Sequence, residues 1–527
     1  MTLCAGQTVR GQVWTPDNGN GTYKNPIIFA DYSDPDVIRV GDDFYLTASS
    51  FNSIPGLPIL HSRDLVNWRI IGHALQQQLP ADVFDRPQHG NGVWAPSIRF
   101  HDGSFYIFYG DPDFGIYMLK SKDPAGVWSK PLLVKRAKGW IDSCPFWDDD
   151  GSAYLVHAWA NSRAGIKSIL TINRMSPDGT RLLDDGVTVF DGHARHPTIE
   201  GPKLYKRNGF YYIFAPAGGV AAGWQTVLRA KNIFGPYEDR IVMQQGKTPI
   251  NGPHQGGWVD VQSGQSWFVH FQDRGVYGRV VHLQPMKWIN DWPVIGSHID
   301  GDGTGEPVAT AKIPDVGRRY SSESPQTNDE FSSSTPALQW QWHANYQTRW
   351  SSLRARHGWL RLNSISTPGS NLWSVPNLLL QKFPAPEFAT TTRIDAGTLK
   401  AGERAGLVVM GTDYSYLAVR KTASGLRLVR VVCLDAPSGS IEQEQAEVPI
   451  KSNYILLRVT VRNDAVCEFS FSADGKTWIQ IGRSFTAKPG RWIGAKVGLF
   501  AIADRDIQSR GFADFDWFRF TTTSLYQ

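Results

Sequence analysis

Between residues 25 and 310 the chain repeats one short pattern of apolar and polar positions. A run of alternating residues meets a turn containing glycine, and a second run carrying aromatic residues follows. Val37–Val40, Gly41-Asp42-Asp43 and Phe44-Tyr45-Leu46 form the first copy. Ser97–Phe100, Asp102-Gly103 and Phe105-Tyr106-Ile107 form the second, and Pro145-Phe146-Trp147, Asp150-Gly151 and Ala153-Tyr154-Leu155 the third. The fourth runs from Pro197 through Asn208-Gly209 to Phe214, and the fifth joins Val259-Asp260-Val261 to Trp267-Phe268-Val269 through Ser263-Gly264. Alternation at period two around an Asn-Gly or Asp-Gly turn predicts β-hairpins. A second turn signal follows in several copies, at Ser62–Trp68, Ser121–Pro124 with Trp128, and Lys231–Pro236. Two hairpins per copy make four strands, and copies every 50 to 60 residues predict a five-bladed β-propeller.

The pattern stops near Ile313. Residues 313–328, with Ser321-Ser322-Glu323-Ser324-Pro325, read as a linker, and residues 1–24, polar and rich in Gly and Asn, as a loose N-terminal arm. The propeller is therefore expected over 25–312. From 329 to 527 the apolar runs no longer follow the repeat. Leu378–Leu380, Gly406–Met410, Leu426–Val432, Tyr454–Val461 and Val497–Ala501 fit a jelly-roll, concanavalin-like β-sandwich. The fold class is all-β.

Composition narrows the function. With 527 residues the chain is too long for one ordinary core. Its 20 tryptophans and 12% aromatic residues suit both aromatic-filled sheets and sugar stacking. A net charge of +5, without a long basic run, argues against nucleic acid. No apolar stretch reaches the ~18–20 residues of a membrane span. Met1–Gly6 is too short for a signal peptide and would fit the scar of a trimmed one. A secreted or periplasmic location is the expectation, with the cytoplasm as the alternative. The four cysteines, Cys4, Cys144, Cys433 and Cys467, lack metal-binding spacing. Buried free thiols are expected rather than a Cys433–Cys467 disulfide.

The inner strand of each propeller blade lines the channel. Counting back from the turn glycines places Asp34, Trp94, Asp142, Glu200 and His254 at near-equivalent positions in five blades. Taken singly, Asp34 and Asp142 fit turn caps, Trp94 a core residue and His254 a structural histidine. Glu200, at the head of the strand beside Gly201-Pro202, is less easily read this way, because Glu is a poor turn former. Together they predict three carboxyls, a ring and an imidazole at one end of one channel. Crowded carboxyls acquire different pKa values, which lets one acid and one base coexist. A pair spaced by about 6.5–9.5 Å leaves room for the water of inverting glycoside hydrolysis.

These residues occur in ordered motifs: Asn25-Pro26, Ser33-Asp34-Pro35-Asp36, Arg39–Tyr45, Pro55-Gly56, His61–Trp68, Trp94-Ala95-Pro96, Asp142 ahead of Phe146–Gly151, and Glu200-Gly201-Pro202. Over the propeller the chain resembles glycoside hydrolase family 43. The resemblance implies an inverting mechanism, with Asp34 as general base, Glu200 as general acid and Asp142 as the carboxyl that tunes and orients the acid. It implies that Arg279 binds the terminal sugar, that Trp94 and Phe51 wall its pocket, and that His254 sits deeper in the channel beside a calcium ion or a water. No cofactor is needed for the chemistry. Ser33 and Ser143-Cys144 depart from the family's common Pro and Pro-Ser. The sandwich resembles the partner domain of the family's exo-acting β-xylosidases and α-L-arabinofuranosidases. The implied substrates are xylan, arabinoxylan, arabinan or xyloglucan-derived oligosaccharides. An endo-arabinanase, a non-catalytic sugar-binding propeller, and a sandwich acting as an independent carbohydrate-binding module are the rival readings.

Overall fold

The computed structural model describes residues 12–298, 301, 303–505, 507 and 510–523. Five antiparallel blades follow one another along the chain. Blade I comprises Asp36–Val40, Asp43–Thr47, Gly56–Ser62 and Arg69–Leu75; blade II runs from Trp94–His101 to Leu132–Arg136; blade III from Trp140–Trp147 to Val187–Asp191. Blade IV runs from Lys203–Arg207 to Glu238–Met243, and two short strands, Ser297–His298 and Gly305–Glu306, extend its outer edge. Blade V comprises His254–Asp260, Ser266–Asp273, Arg279–Ile289 and Trp292–Ile295. The predicted turn glycines Gly41, Gly103, Gly151, Gly209 and Gly264 all have φ between 63° and 85°, the backbone region a tight hairpin turn asks for.

Alternation explains the packing. In each blade one set of side chains fills the space against the next blade, as Leu46, Ile98, Leu155, Ile213 and Val269 do, all fully buried. Polar ties join the inner strands around the axis. Arg99 Nη1 reaches Asp36 Oδ2 at 2.6 Å, joining blades II and I. Lys203 Nζ donates to the Pro96 carbonyl at 3.0 Å and Ser97 Oγ at 2.7 Å, joining blades IV and II. Cys144 accepts from the Leu204 amide and lies 3.0 Å from Arg99 Nη2.

The ring closes through a segment expected to be loose. Thr22–Lys24 pairs antiparallel with Thr310–Lys312, and Tyr23 is fully buried, its hydroxyl donating to the Leu283 carbonyl at 2.7 Å. Asn25 exchanges three hydrogen bonds with Leu283 and Val308 of the far end. A three-residue strand carries too little alternation to be read from sequence, and its partner lies almost 300 residues away. The arm's residues 1–11 lie outside the described residues. The linker segment is also fixed: Gln326 exchanges two hydrogen bonds with the Ile70 backbone, and the Glu323 amide donates to Asn67.

The C-terminal domain is a two-sheet, concanavalin A-like sandwich. One sheet is built around Leu379–Lys382, Lys496–Ala503, Glu403–Met410, Tyr414–Thr422 and Gly425–Cys433. The other is built around Leu360–Asn363, Phe512–Thr521, Phe388–Asp395, Tyr454–Arg462 and Val466–Ser472. Cys144, Cys433 and Cys467 are buried free thiols. The sandwich core runs on into the propeller, with Phe29, Tyr277 and Val280 in the same apolar cluster as Trp340, Phe383 and Phe388. Backbone bonds cross the junction, from the Ile54 amide to the Trp342 carbonyl at 3.1 Å and from the Ala495 amide to the Val276 carbonyl at 2.7 Å.

Candidate active site

At the head of every inner strand the backbone turns through the left-handed region. The residues there are Asp34 (φ 53°), Ala95 (31°), Asp142 (59°), Gly201 (58°) and Gln255 (35°). In blades II, III and V the ladder slips at this kink, between Trp94 and Ser97, Ile141 and Cys144, and His254 and Gly256. The five kinks are the equivalent positions. Asp34 and Asp142 occupy them, as counted from sequence, but Trp94, Glu200 and His254 stand one residue earlier. Turn and bulge lengths differ between blades, so a count from the glycine drifts by one. Aspartate and glycine tolerate this conformation. Ala95 and Gln255 hold it at a cost of order 1–2 kcal/mol each, the kind of strain that gathers at functional sites.

The kinks open on one pocket of about 490 Å³, lined by Asp34, Phe51, Trp94, Ala95, Ile141, Asp142, Glu200, Val220, Gln255, Arg279 and Trp492. All three predicted carboxyls, both predicted rings and the predicted arginine therefore meet.

Asp34 is buried on the floor. Its Oδ1 accepts from Arg279 Nη1 at 2.9 Å and its Oδ2 from Ser49 Oγ at 2.6 Å. Ser49 in turn accepts from the Ala95 amide at 2.7 Å, which ties blade I to the kink of blade II. Arg279, nine-tenths buried, also lies over the Phe271 ring at 4.9 Å. The Ser49 bond satisfies the second carboxylate oxygen, which helps such a buried pair to be tolerated.

Asp142 accepts from the Gly201 amide at 2.7 Å. Burial pushes its carboxyl well above the usual carboxylate range, and the charges of Glu200 and then Asp34 push the same way. Those two influences mark the three carboxyls as one electrostatic unit. Glu200, the most exposed of the three, is held at Oε1 by His254 Nε2 at 3.0 Å.

His254 was expected deeper in the channel beside a calcium ion or a water; the structure sets its ring against Glu200. Its Nδ1 is buried without a hydrogen-bond partner. One imidazole nitrogen suits a water, whereas calcium takes six to eight oxygens. Among the described residues no three His, Cys, Asp or Glu side chains gather as metal ligands, so the residues present do not form a calcium cage, and no step is routed through one.

Trp94 donates its indole N–H to the Gly90 carbonyl at 2.8 Å and meets Trp492 edge-on, with centroids 6.4 Å apart. Phe51 is buried, with its backbone paired to Val93. The residue that sequence reasoning missed is Trp492. It comes from a sandwich loop, is 53% exposed and has φ of 65°. Nothing in the repeat pointed to it, because it lies outside the repeat. Ser49 and Gln255 were also missed. The kink signal, Asp-Pro, Ala-Pro, Asp-Ser, Gly-Pro and Gln-Gly in five successive blades, would have found Gln255.

Residues 23–293 match the model of glycosyl hydrolases family 43, and residues 328–521 match that of the beta xylosidase C-terminal concanavalin A-like domain. The chain belongs to family 43. It is 42% identical to a putative beta-xylosidase of Xylanibacter ruminicola, over 94% of this chain and 89% of that protein. It is 28% identical to a non-reducing end alpha-L-arabinofuranosidase, BoGH43B, of Bacteroides ovatus, over 95% and 94%. The crystal structure of the GH43 BlXynB protein from Bacillus licheniformis superposes with a TM-score of 0.81 at 26% identity, covering 95% of this chain and all of that one. The protein is a glycoside hydrolase, and family 43 enzymes invert the anomeric centre and need no cofactor for the chemistry.

Proposed function

We propose that this family 43 enzyme removes terminal pentoses, β-D-xylosyl or α-L-arabinofuranosyl, from xylan-related oligosaccharides, with Asp34 as base and Glu200 as acid. The observation that carries the reading is the meeting of Asp34, Asp142 and Glu200 in a pocket of about 490 Å³ walled by Trp94 and Trp492. A pocket closed by a ring from the sandwich suits one chain-end sugar better than the middle of a polymer, which favours exo action over an endo-arabinanase. Retention of all three carboxyls disfavours a non-catalytic binding propeller.

In this mechanism Asp34 takes a proton from a water as its oxygen attacks the anomeric carbon. The glycosidic C–O bond breaks on the opposite face, and Glu200 gives its proton to the leaving oxygen. Solvent then returns a proton to Glu200 and takes one from Asp34. Arg279 and Ser49 use both oxygens of Asp34 and so fix the direction of its remaining lone pairs. His254 fixes the rotamer of Glu200. Asp142, accepting from the amide of Gly201, anchors the peptide next to the acid.

A panel of aryl β-D-xylosides and α-L-arabinofuranosides, with xylo- and arabino-oligosaccharides, tests the reading. Release of single pentoses from chain ends supports it. Mid-chain cleavage of linear arabinan, or no turnover of any pentoside, refutes it.

A further inference from the structure

Asp31 is not among the residues that line the pocket. It is 4% exposed, and both its carboxylate oxygens are engaged. Oδ1 accepts from the Arg279 amide and from Ser33 Oγ, each at 2.9 Å. Oδ2 accepts from the Gly494 amide at 3.0 Å, across a sequence separation of 463 residues. One carboxylate thus bridges the backbone of the arginine that holds Asp34 and the sandwich loop that carries Trp492 two residues before Gly494. We infer that Asp31 is a positioning residue, a strap that sets Arg279 and the Trp492 loop against each other and so fixes the pocket's width.

Close packing on both sides of the strap supports this. A Cβ on Gly278 would stand 2.5 Å from Asp31 Cγ, and one on Gly494 would stand 2.6 Å from the Tyr277 carbonyl carbon. Neither neighbour has room to move toward the other, and the carboxylate ties the two segments beside the direct bond from the Ala495 amide to the Val276 carbonyl. The Trp492 ring is half exposed and on a left-handed residue. Its position follows from where the loop is pinned. The bridge also demands a carboxylate. Asparagine has nearly the same shape but only one acceptor oxygen, so its amide group would face an N–H at Arg279 or at Gly494, and one tie is lost.

The inference rests on reading the pocket as the sugar pocket, so its test includes a readout without substrate. In full-length Asp31→Asn, amide hydrogen exchange over residues 276–280 and 490–496 should quicken by about tenfold while the blade cores keep their protection. With an aryl pentoside, kcat/KM should fall about tenfold, carried mostly by KM, because pocket walls bind ground state and transition state alike. In a Trp492→Ala background the same substitution should cost only about threefold, because part of its effect passes through the missing ring. Gly494→Ala, which pushes the loop from the sandwich side, should raise KM in the same way. Unchanged exchange at both segments overturns the inference, as does an undiminished tenfold loss in the Trp492→Ala background. If the unaltered enzyme hydrolyses no pentoside, the functional reading falls, and hydrogen exchange still judges Asp31.

Discussion

Replacing Arg279 with methionine isolates the buried ion pair on which the pocket floor depends. Asp34 and Arg279 are both more than nine-tenths buried and meet at 2.9 Å. Removing one partner of a buried pair costs about 3–5 kcal/mol, because the other charge is left uncompensated. Here the Ser49 hydroxyl remains on Asp34 at 2.6 Å, and the pocket admits water, which places the expected loss at the lower end, about 3 kcal/mol. For a unit the size of the propeller the melting entropy is ~0.6 kcal/mol/K, so the melting temperature should fall by about 5 °C. Asp34→Asn/Arg279→Met removes both charges and should regain about 2 kcal/mol of that loss. Thermal melts of the native protein, both single variants and the double variant, at one pH and salt concentration, supply the cycle. A double variant no more stable than Arg279→Met would refute the argument, since the deficit would then come from lost packing over Phe271 rather than from an unpaired carboxylate.

Other predictions follow from the same geometry. Glu200→Ala should lose about 10²–10⁴ in kcat/KM on aryl glycosides with poor leaving groups and far less with dinitrophenolate, which departs without a proton; Asp34→Ala should be equally slow on both. Equal losses for Glu200→Ala on the two substrates would contradict its role as acid. Asp142 has a folded-state pKa raised by burial and by Glu200, so its destabilising effect is absent at low pH, sets in as pH rises past the ordinary value of 3.8, and is complete above the raised value. Asp142→Asn should therefore be more stable than the native protein at pH 8 and less so at pH 4, while losing activity; denaturant titrations at the two pH values check the sign. Lys496 has its pKa lowered to about 7 by burial and by Lys382, so its penalty is largest below pH 7 and fades between pH 7 and about 10.5. Lys496→Met should be more stable than native at pH 6, with the difference narrowing at pH 9.

The propeller was legible because its signal is local. Each hairpin announces itself by alternation and a glycine turn, and five copies in register leave few other folds. Asp34, Asp142 and Glu200 were legible for the same reason, since the repeat assigns each a place. The offset of one residue at Trp94, Glu200 and His254 was not, because bulges change the count without changing the pattern. Four of the five runs identified in the sandwich fall within strands, and the fifth, Leu378–Leu380, begins one residue ahead of the strand Leu379–Lys382. Phe388–Asp395, Tyr414–Thr422 and Phe512–Thr521 escaped because their Thr, Ser and Asp residues break the apolar runs. Trp492 and the Asp31 strap escaped altogether. Both arise where two domains touch, and no repeat or spacing links residues more than 400 positions apart.

The most direct measurement is proton NMR of the first sugar formed when this enzyme hydrolyses a β-D-xyloside or α-L-arabinofuranoside. An Asp34–Glu200 pair acting through one water must release α-D-xylose or β-L-arabinofuranose first, before mutarotation. Initial release of the anomer already present in the substrate would contradict it and would make one of these carboxyls a nucleophile.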